Sequence, residues 1–342
     1  MTIHLFFSYI IHMNILITGA TGFIGSFIVE EALRRGMNVW VAIRSSSSLK
    51  YLDNRHINFL TLDFDDTTQM ANAMKGLSFD YVIHAAGITK SIHARDFHRV
   101  NTEGTRHFVE ALLALHMPLK RFVYLSSLSI CGAVCESRPY KAINEDTVPQ
   151  PNTEYGRSKL AAEQYLATVK GLPYIILRPT GVYGPREHDY FLMAKSIRQH
   201  IDFAVGFKPQ VITFIYVLDV VQAVFLALDH GHVGQAYIIS DGKEYDSRTF
   251  SDLIRRELGN PWLLRIKAPI WLLRVITFFG EYIARTTGTI SALNNDKYNI
   301  LRQRNWKCDI SRACGELGFR PQYDLQRGVK LTMKWYIENK WL

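Results

Sequence analysis

The sequence predicts an α/β fold in which a doubly wound parallel sheet carries a smaller C-terminal lobe. Three observations lead there. Short apolar runs alternate with helical stretches from Asn14 to Leu177, the pattern of parallel strands joined by right-handed crossovers. A glycine-rich turn joins the first run to an amphipathic helix. Beyond about residue 180 the alternation fades into shorter, more basic segments.

Asn14 to Thr18 (NILIT) reads as the first strand, an apolar run closed by Gly19. From Phe23 to Arg35 the apolar positions Ile24, Phe27, Ile28 and Leu33 follow helical spacing until Gly36 stops them. Further strands are expected at Val39 to Ile43, Asn58 to Leu62, Tyr81 to His84 and Phe122 to Leu125, and a sixth at Tyr174 to Leu177 after a helix from Glu154 to Lys170. A first domain thus covers 13–180. The lobe lies mainly in 181–342, with some of its segments free to return to the main sheet. The opening MTIHLFFSYIIH places no Lys or Arg ahead of its apolar residues and has no small-residue cleavage site. Residues 1–12 therefore read as an extension outside the native protein, with Met13 as its natural start.

The 342 residues, 48% hydrophobic and 21% charged, suit an ordinary globular chain with one large core. Of the net charge of +9, residues 251–342 supply most, with 16 Lys and Arg against 8 Asp and Glu. No docking motif or interleaved stacking aromatics accompany that charge, which argues against nucleic acid and for an anionic ligand or a membrane surface. Cys131, Cys135, Cys308 and Cys314 lack paired spacing with His partners, so no metal site is expected and reduced cytoplasmic thiols are.

The turn TGATGFIGS sets Gly19, Gly22 and Gly25 three residues apart where strand gives way to helix. Glycine there permits a tight turn, close approach of a pyrophosphate to the backbone and close helix packing, while the helix N-terminus offers unpaired N–H groups. Gly19, Thr21, Gly22, Phe23, Ile24 and Gly25 are therefore candidates to hold a dinucleotide. At the end of the second strand Arg44, followed by serines, suits a ribose 2'-phosphate, so NADP(H) is preferred and NAD(H) remains open. Asp63 is placed to accept from the adenine amino group, with Phe64 packing nearby.

Tyr155 and Lys159 stand four apart on one face of the expected helix, after a strand that ends in Ser126 and Ser127. Hydride transfer to a carbonyl leaves an alkoxide that must gain a proton. Tyr155 can give it if Lys159 and a cationic nicotinamide lower its pKa, and Ser127 can hold the same oxygen.

Taken together, TGATGFIGS, HAAG (His84 to Gly87), VNTEGT (Val100 to Thr105), YLSSLSICG, YGRSK and LRPTGVYGP resemble the extended short-chain dehydrogenases/reductases, the NAD-dependent epimerase/dehydratase family. FIYVLD (Phe214 to Asp219) and LGFRP (Leu317 to Pro321) extend the match. The resemblance implies a Rossmann-type sheet, a cofactor lined by Ala85, Ala86 and Gly87 with Pro179 and Val182 near the nicotinamide, and a triad of Ser127, Tyr155 and Lys159. Departures narrow the substrate. Leu128 and Ser129 stand where sugar-nucleotide dehydratases of this family carry Asp and Glu, Gly181 where epimerases carry Asn, and Ile212 where they carry an Arg for the diphosphate.

In Pro269 to Ala284 a polar stripe of Arg274, Thr277 and Glu281 faces a broad apolar side of Trp271, Leu272, Val275, Ile276, Phe278, Phe279 and Tyr282. Together with the departures, this resembles the branch of 3β-hydroxysteroid dehydrogenases and lipid ketoreductases. The expectation is ketone–alcohol redox on a hydrophobic small molecule, with core packing, a substrate lid or peripheral membrane contact through 269–284 open for that stretch, and a homodimer also open. A nucleotide-sugar epimerase is the alternative, and a non-catalytic NADP-sensing protein a third.

Overall fold

The structure, a computed structural model, describes residues 13–52, 55–287 and 295–342. The expectation for 1–12 lies outside them. The first half of the chain alternates as follows: β1 (Asn14–Thr18), α1 (Phe23–Arg34), β2 (Asn38–Ile43), β3 (Ile57–Thr61), α2 (Thr67–Met74), β4 (Tyr81–His84), α3 (Ala94–Phe97), α4 (Gly104–Ala114), β5 (Arg121–Leu125), α5 (Glu154–Thr168) and β6 (Tyr174–Pro179). A π-helical stretch, His98–Glu103, joins α3 to α4, and a 3-10 turn, Leu128–Ile130, follows β5.

The second half holds β7 (Gly181–Tyr183), α6 (His188–Arg198), β8 (Ile201–Val205), β9 (Phe214–Tyr216), α7 (Val217–Asp229), β10 (Ala236–Ile239) and α8 (Thr249–Glu257). After these come β11 (Leu264–Ala268), α9 (Ile270–Thr287), α10 (Asn295–Arg302), α11 (Ser311–Glu316) and α12 (Leu325–Glu338).

Seven parallel strands form the main sheet in the order β10-β6-β5-β4-β1-β2-β3. The strand order reverses between β1 and β4, which opens a crevice at their carboxyl ends. Both faces are covered, so the strands read as nearly continuous apolar runs. Ile15 and Ile17 pack with Ile28, Val29, Val224 and Phe225 on one side, and Leu16 packs with Met70, Phe108 and Leu166 on the other. Helix α7 and strand β10 bring the chain back to this sheet from beyond residue 180.

The remaining segments form a satellite core of Tyr183, Phe214, Tyr216, Phe250, Met333 and Tyr336, with small two-stranded sheets pairing β7 with β9 and β8 with β11. Helix α9 departs from the pattern expected of it. Thr277, expected on a polar stripe, is buried with Leu273, while Trp271, Arg274, Val275 and Ile276 point outward. The described outward positions of this helix thus carry Trp271, Val275 and Ile276 beside Arg274, and the buried ones carry Leu273 and Thr277. The side chains of Phe278, Phe279, Glu281 and Tyr282 lie outside the described residues. Among the described residues no helix is long and apolar enough to cross a membrane.

Candidate active site

The glycine turn fits a dinucleotide phosphate. Gly19 has φ +70°, and a Cβ there would lie 2.5 Å from the Ala85 carbonyl. A Cβ on Gly25 would lie 2.1 Å from the Gly19 oxygen. Any larger side chain would push β1, α1 and the loop after β4 apart. Helix α1 starts at Gly22 with no side-chain cap and no acidic residue in its first turn, so its N-terminal N–H groups are left for an anion. Thr21, Phe23 and Ile24 stand half-buried in the same turn.

Arg44 is exposed at the end of β2, where its N–H donates to the Ser47 hydroxyl at 2.9 Å. Asp63 is exposed after β3, its carboxylate accepting the Asp65 N–H at 3.0 Å. The Phe64 ring turns inward, 5.6 Å from Phe108 and 6.1 Å from His84. Across the crevice the Ala86 N–H donates to Thr18 Oγ1 at 3.2 Å. Gly87 is hemmed in, since a Cβ would meet Asn101 Oδ1 at 2.9 Å and Lys159 Nζ at 3.3 Å.

Ser127 begins the 3-10 turn, its Oγ accepting the Ser129 N–H at 3.1 Å, and its hydroxyl lies near enough to the Tyr155 phenol to favour the phenol's ionised form. Tyr155 occupies the first turn of α5, and the buried Lys159 follows one turn on. The helix start is fixed twice: Thr153 Oγ1 accepts the Gly156 N–H at 2.9 Å, and the Asp296 carboxylate accepts the N–H groups of Glu154 and Tyr155 at 2.9 and 3.0 Å.

Removal from water pushes the Tyr155 phenol up to about 12, with the Ser127 hydrogen bond acting against that rise. The Lys159 ammonium donates to the Leu125 carbonyl at 2.8 Å and lies 4.7 Å from the centre of the Tyr124 ring. Burial pushes Lys159 itself down to about 8, and Glu163 opposes that fall. Glu163 is buried with Arg178 at 2.6 Å and accepts from Ser126.

Sequence reasoning gave no role to Asn101, Glu163 or Asp296. Asn101 accepts the Ile88 N–H at 2.8 Å and donates to Ser158 Oγ at 2.9 Å, binding the loop after β4 to α5. VNTEGT held that Asn in plain view, but its partners are set by the fold.

Pro179 ends β6 and Val182 lies in β7, so Gly181 stands between the expected nicotinamide neighbours. A Cβ on Gly181 would meet the Tyr190 hydroxyl at 2.9 Å and the Phe214 ring at 3.4 Å. Ile212 is partly buried, and its N–H donates to the Tyr245 carbonyl at 2.8 Å. Leu128 is fully inside the protein. An open cleft of about 780 Å³ between Lys243, Arg256 and Arg327 holds none of the three candidate catalytic side chains.

Residues 15–240 match the model of the NAD dependent epimerase/dehydratase family. A sterol demethylase protein B of Methylococcus capsulatus is 31% identical over 90% of this chain and 94% of its own. A dTDP-glucose 4,6-dehydratase of Haemophilus influenzae is 26% identical over 96% of this chain and 98% of its own. Among solved structures, a UDP-glucose 4-epimerase of Thermotoga maritima superposes with a TM-score of 0.76 at 24% identity, covering 96% of this chain and 100% of that one.

Proposed function

The chain belongs to the NAD dependent epimerase/dehydratase family, and we propose that within it the protein interconverts a ketone and a secondary alcohol on a hydrophobic, steroid-like or lipid substrate. The observation that carries the substrate class is the aromatic wall at Gly181. The Tyr190 hydroxyl stands 2.9 Å from the place of a Cβ there, and the Tyr190 ring stacks on Phe250 at 4.5 Å. A carboxamide anchor at Gly181 would have to move the Tyr190 hydroxyl aside. Ile212 offers no cation to a diphosphate, and Leu128 and Ser129 offer no second acid and base for loss of water.

A nicotinamide dinucleotide, when bound, supplies the hydride donor or acceptor. The chain's own residues handle the proton and the orientation. Tyr155, protonated at neutral pH, gives its proton to the substrate oxygen during reduction, while Ser127 hydrogen-bonds the phenol and positions the same oxygen. Lys159 places a positive charge beside Gly87, on the cofactor side, and Glu163 keeps that charge in place. Arg44 extends the proposal to NADP(H), since an exposed guanidinium at the end of β2 suits a 2'-phosphate.

The second reading is a nucleotide-sugar epimerase or dehydratase, favoured by full-length similarity to enzymes named for those substrates. Thermal unfolding separates the two. Polycyclic or long-chain ketones, with cofactor present, are expected to protect the protein, a ligand at about 100 times its Kd adding roughly 2.7 kcal/mol. UDP- and dTDP-sugars at millimolar concentration are expected to leave the melting temperature unchanged. Protection by sugars alone would reverse the assignment.

A further inference from the structure

Tyr190 is held from several sides, and only its hydroxyl is left unused. The ring stacks on Phe250 at 4.5 Å and meets Phe214 and Tyr183 edge to face at 6.1 and 6.2 Å. Its N–H donates to Glu187 Oε2 at 2.7 Å, in the first turn of α6. The residue before it, Asp189, binds Lys90 in the loop after β4 and, at 3.0 Å, Lys297 of α10. The neighbour of Lys297 on α10, Asp296, accepts the Tyr155 N–H at 3.0 Å. The start of α6 is thus tied to the helix that also fixes the start of α5.

The phenol end of Tyr190 reaches the carboxyl end of the main sheet. Its hydroxyl lies 2.9 Å from the place of a Cβ on Gly181, and Gly181 is exposed. Strands β5 and β6 are in register at Leu125 and Leu177, so Ser127 and Pro179 each lie two residues beyond that pair. Gly181 follows Pro179 by two more. The Tyr190 hydroxyl therefore stands at the same edge of the sheet as Ser127, on the β6 side.

A side chain at position 181 would crowd the phenol out, so the glycine is what admits it. Tyr190 is half-buried, and its hydroxyl has no hydrogen-bond partner among the described residues. Tyrosine hydroxyls drawn out of water ordinarily find one. Burial, with Glu187 and Asp189 adding to it, pushes the phenol above its ordinary pKa, so it stays protonated and donates. A ring locked on its faces and edges that presents an unused donor suits an acceptor oxygen brought by a ligand.

We propose that the Tyr190 hydroxyl, admitted by Gly181, donates a hydrogen bond to a second oxygen of the substrate, apart from the carbonyl that is reduced. The substrate class narrows to hydrophobic ketones that carry a further acceptor oxygen. This inference rests on the ketone–alcohol reading of the site and adds to it a side chain that determines specificity. Phenylalanine would line the wall as tyrosine does, so the oxygen alone makes the difference.

The experiment compares the full chain with Tyr190→Phe on pairs of polycyclic ketones that differ by one further hydroxyl or carbonyl oxygen, with cofactor in excess. The unaltered protein is expected to take the oxygenated member of at least one pair at a lower KM, and Tyr190→Phe to shrink that preference about tenfold, through KM rather than kcat. Thermal protection by the same pairs reads the preference without turnover and should show the same loss. Gly181→Ala, whose Cβ would crowd the hydroxyl, should move the preference in the same direction, which keeps the test open if Tyr190→Phe fails to fold. An unchanged preference in both variants, with the ketones still reduced, would overturn the role of the hydroxyl and leave the reaction standing. Failure of the unaltered protein to reduce any ketone of either kind would overturn the reaction and this inference together.

Discussion

At the scale of single residues, the proposed chemistry rests on a phenol that burial keeps protonated and a buried ammonium one helical turn further along α5. Tyr155→Phe should lower turnover by at least about 10²-fold while leaving cofactor affinity nearly unchanged, as read from steady-state kinetics and a nicotinamide titration. Retained turnover would remove Tyr155 from the mechanism. His84 makes a second residue-scale case. Thr105 Oγ1 donates to the Asn101 carbonyl at 2.7 Å, so it accepts from His84 Nε2 at 2.9 Å, which leaves Nδ1 to accept from Thr18 Oγ1 at 2.7 Å.

Burial, aided by the nearby Lys159 charge, pushes His84 from 6.5 down to about 3. Between those pH values the unfolded chain binds a proton that the native chain refuses, so stability falls as pH drops from 6.5 toward 3. In His84→Gln the loss of melting temperature between pH 7 and pH 4 should be smaller than in the unaltered protein, and an unchanged loss would contradict the assignment. Spacing made Tyr155 and Lys159 legible, because four residues on a helix fix a shared face. It gave no sign of the bond from Asn101 to Ser158, 57 residues apart, or of Asp296 to Tyr155, 141 apart.

At the scale of elements, the strands of the first half were readable to within a residue or two, because both faces of a parallel sheet demand apolar side chains. The lobe was less readable. β7 and β9 are three residues each and β10 four, too short to establish a period. In α9 Trp271, Val275 and Ile276 are exposed while Leu273 and Thr277 are buried, a division that the apolar run does not specify, so sequence alone left core, lid and membrane open. The loop between β1 and α1 carries its own test. Gly19→Ala would force a Cβ to 2.5 Å from the Ala85 carbonyl at a φ of +70°, and dinucleotide binding measured by fluorescence should be lost. Binding as tight as before would mean the phosphates lie elsewhere. At the end of β2, Arg44→Ala should weaken NADPH by a charge-assisted contact of about 1.5–3 kcal/mol and leave NADH nearly unaffected. Equal losses for both cofactors would assign Arg44 to solvent.

At the scale of the whole molecule, the sheet gathers the candidates at one edge. The carboxyl ends of β1, β2, β3, β4 and β6 present Gly19, Arg44, Asp63, Ala85 and Pro179 in turn, on either side of the order reversal. The return of α7 and β10 to this sheet ties the two halves of the chain together, so the aromatic wall of Tyr190 and Phe214 is fixed relative to Ser127 and Tyr155. The choice between a hydrophobic ketone and a sugar nucleotide then falls to that wall, and the most direct measurement is turnover. Purified protein would be supplied with NADPH or NADH and a panel of polycyclic and long-chain ketones, then separately with UDP- and dTDP-sugars, following nicotinamide absorbance and analysing the products. Oxidation of the reduced cofactor by a hydrophobic ketone, abolished in Tyr155→Phe, is the expected result. Epimerised or dehydrated sugar, with every ketone left untouched, would contradict it.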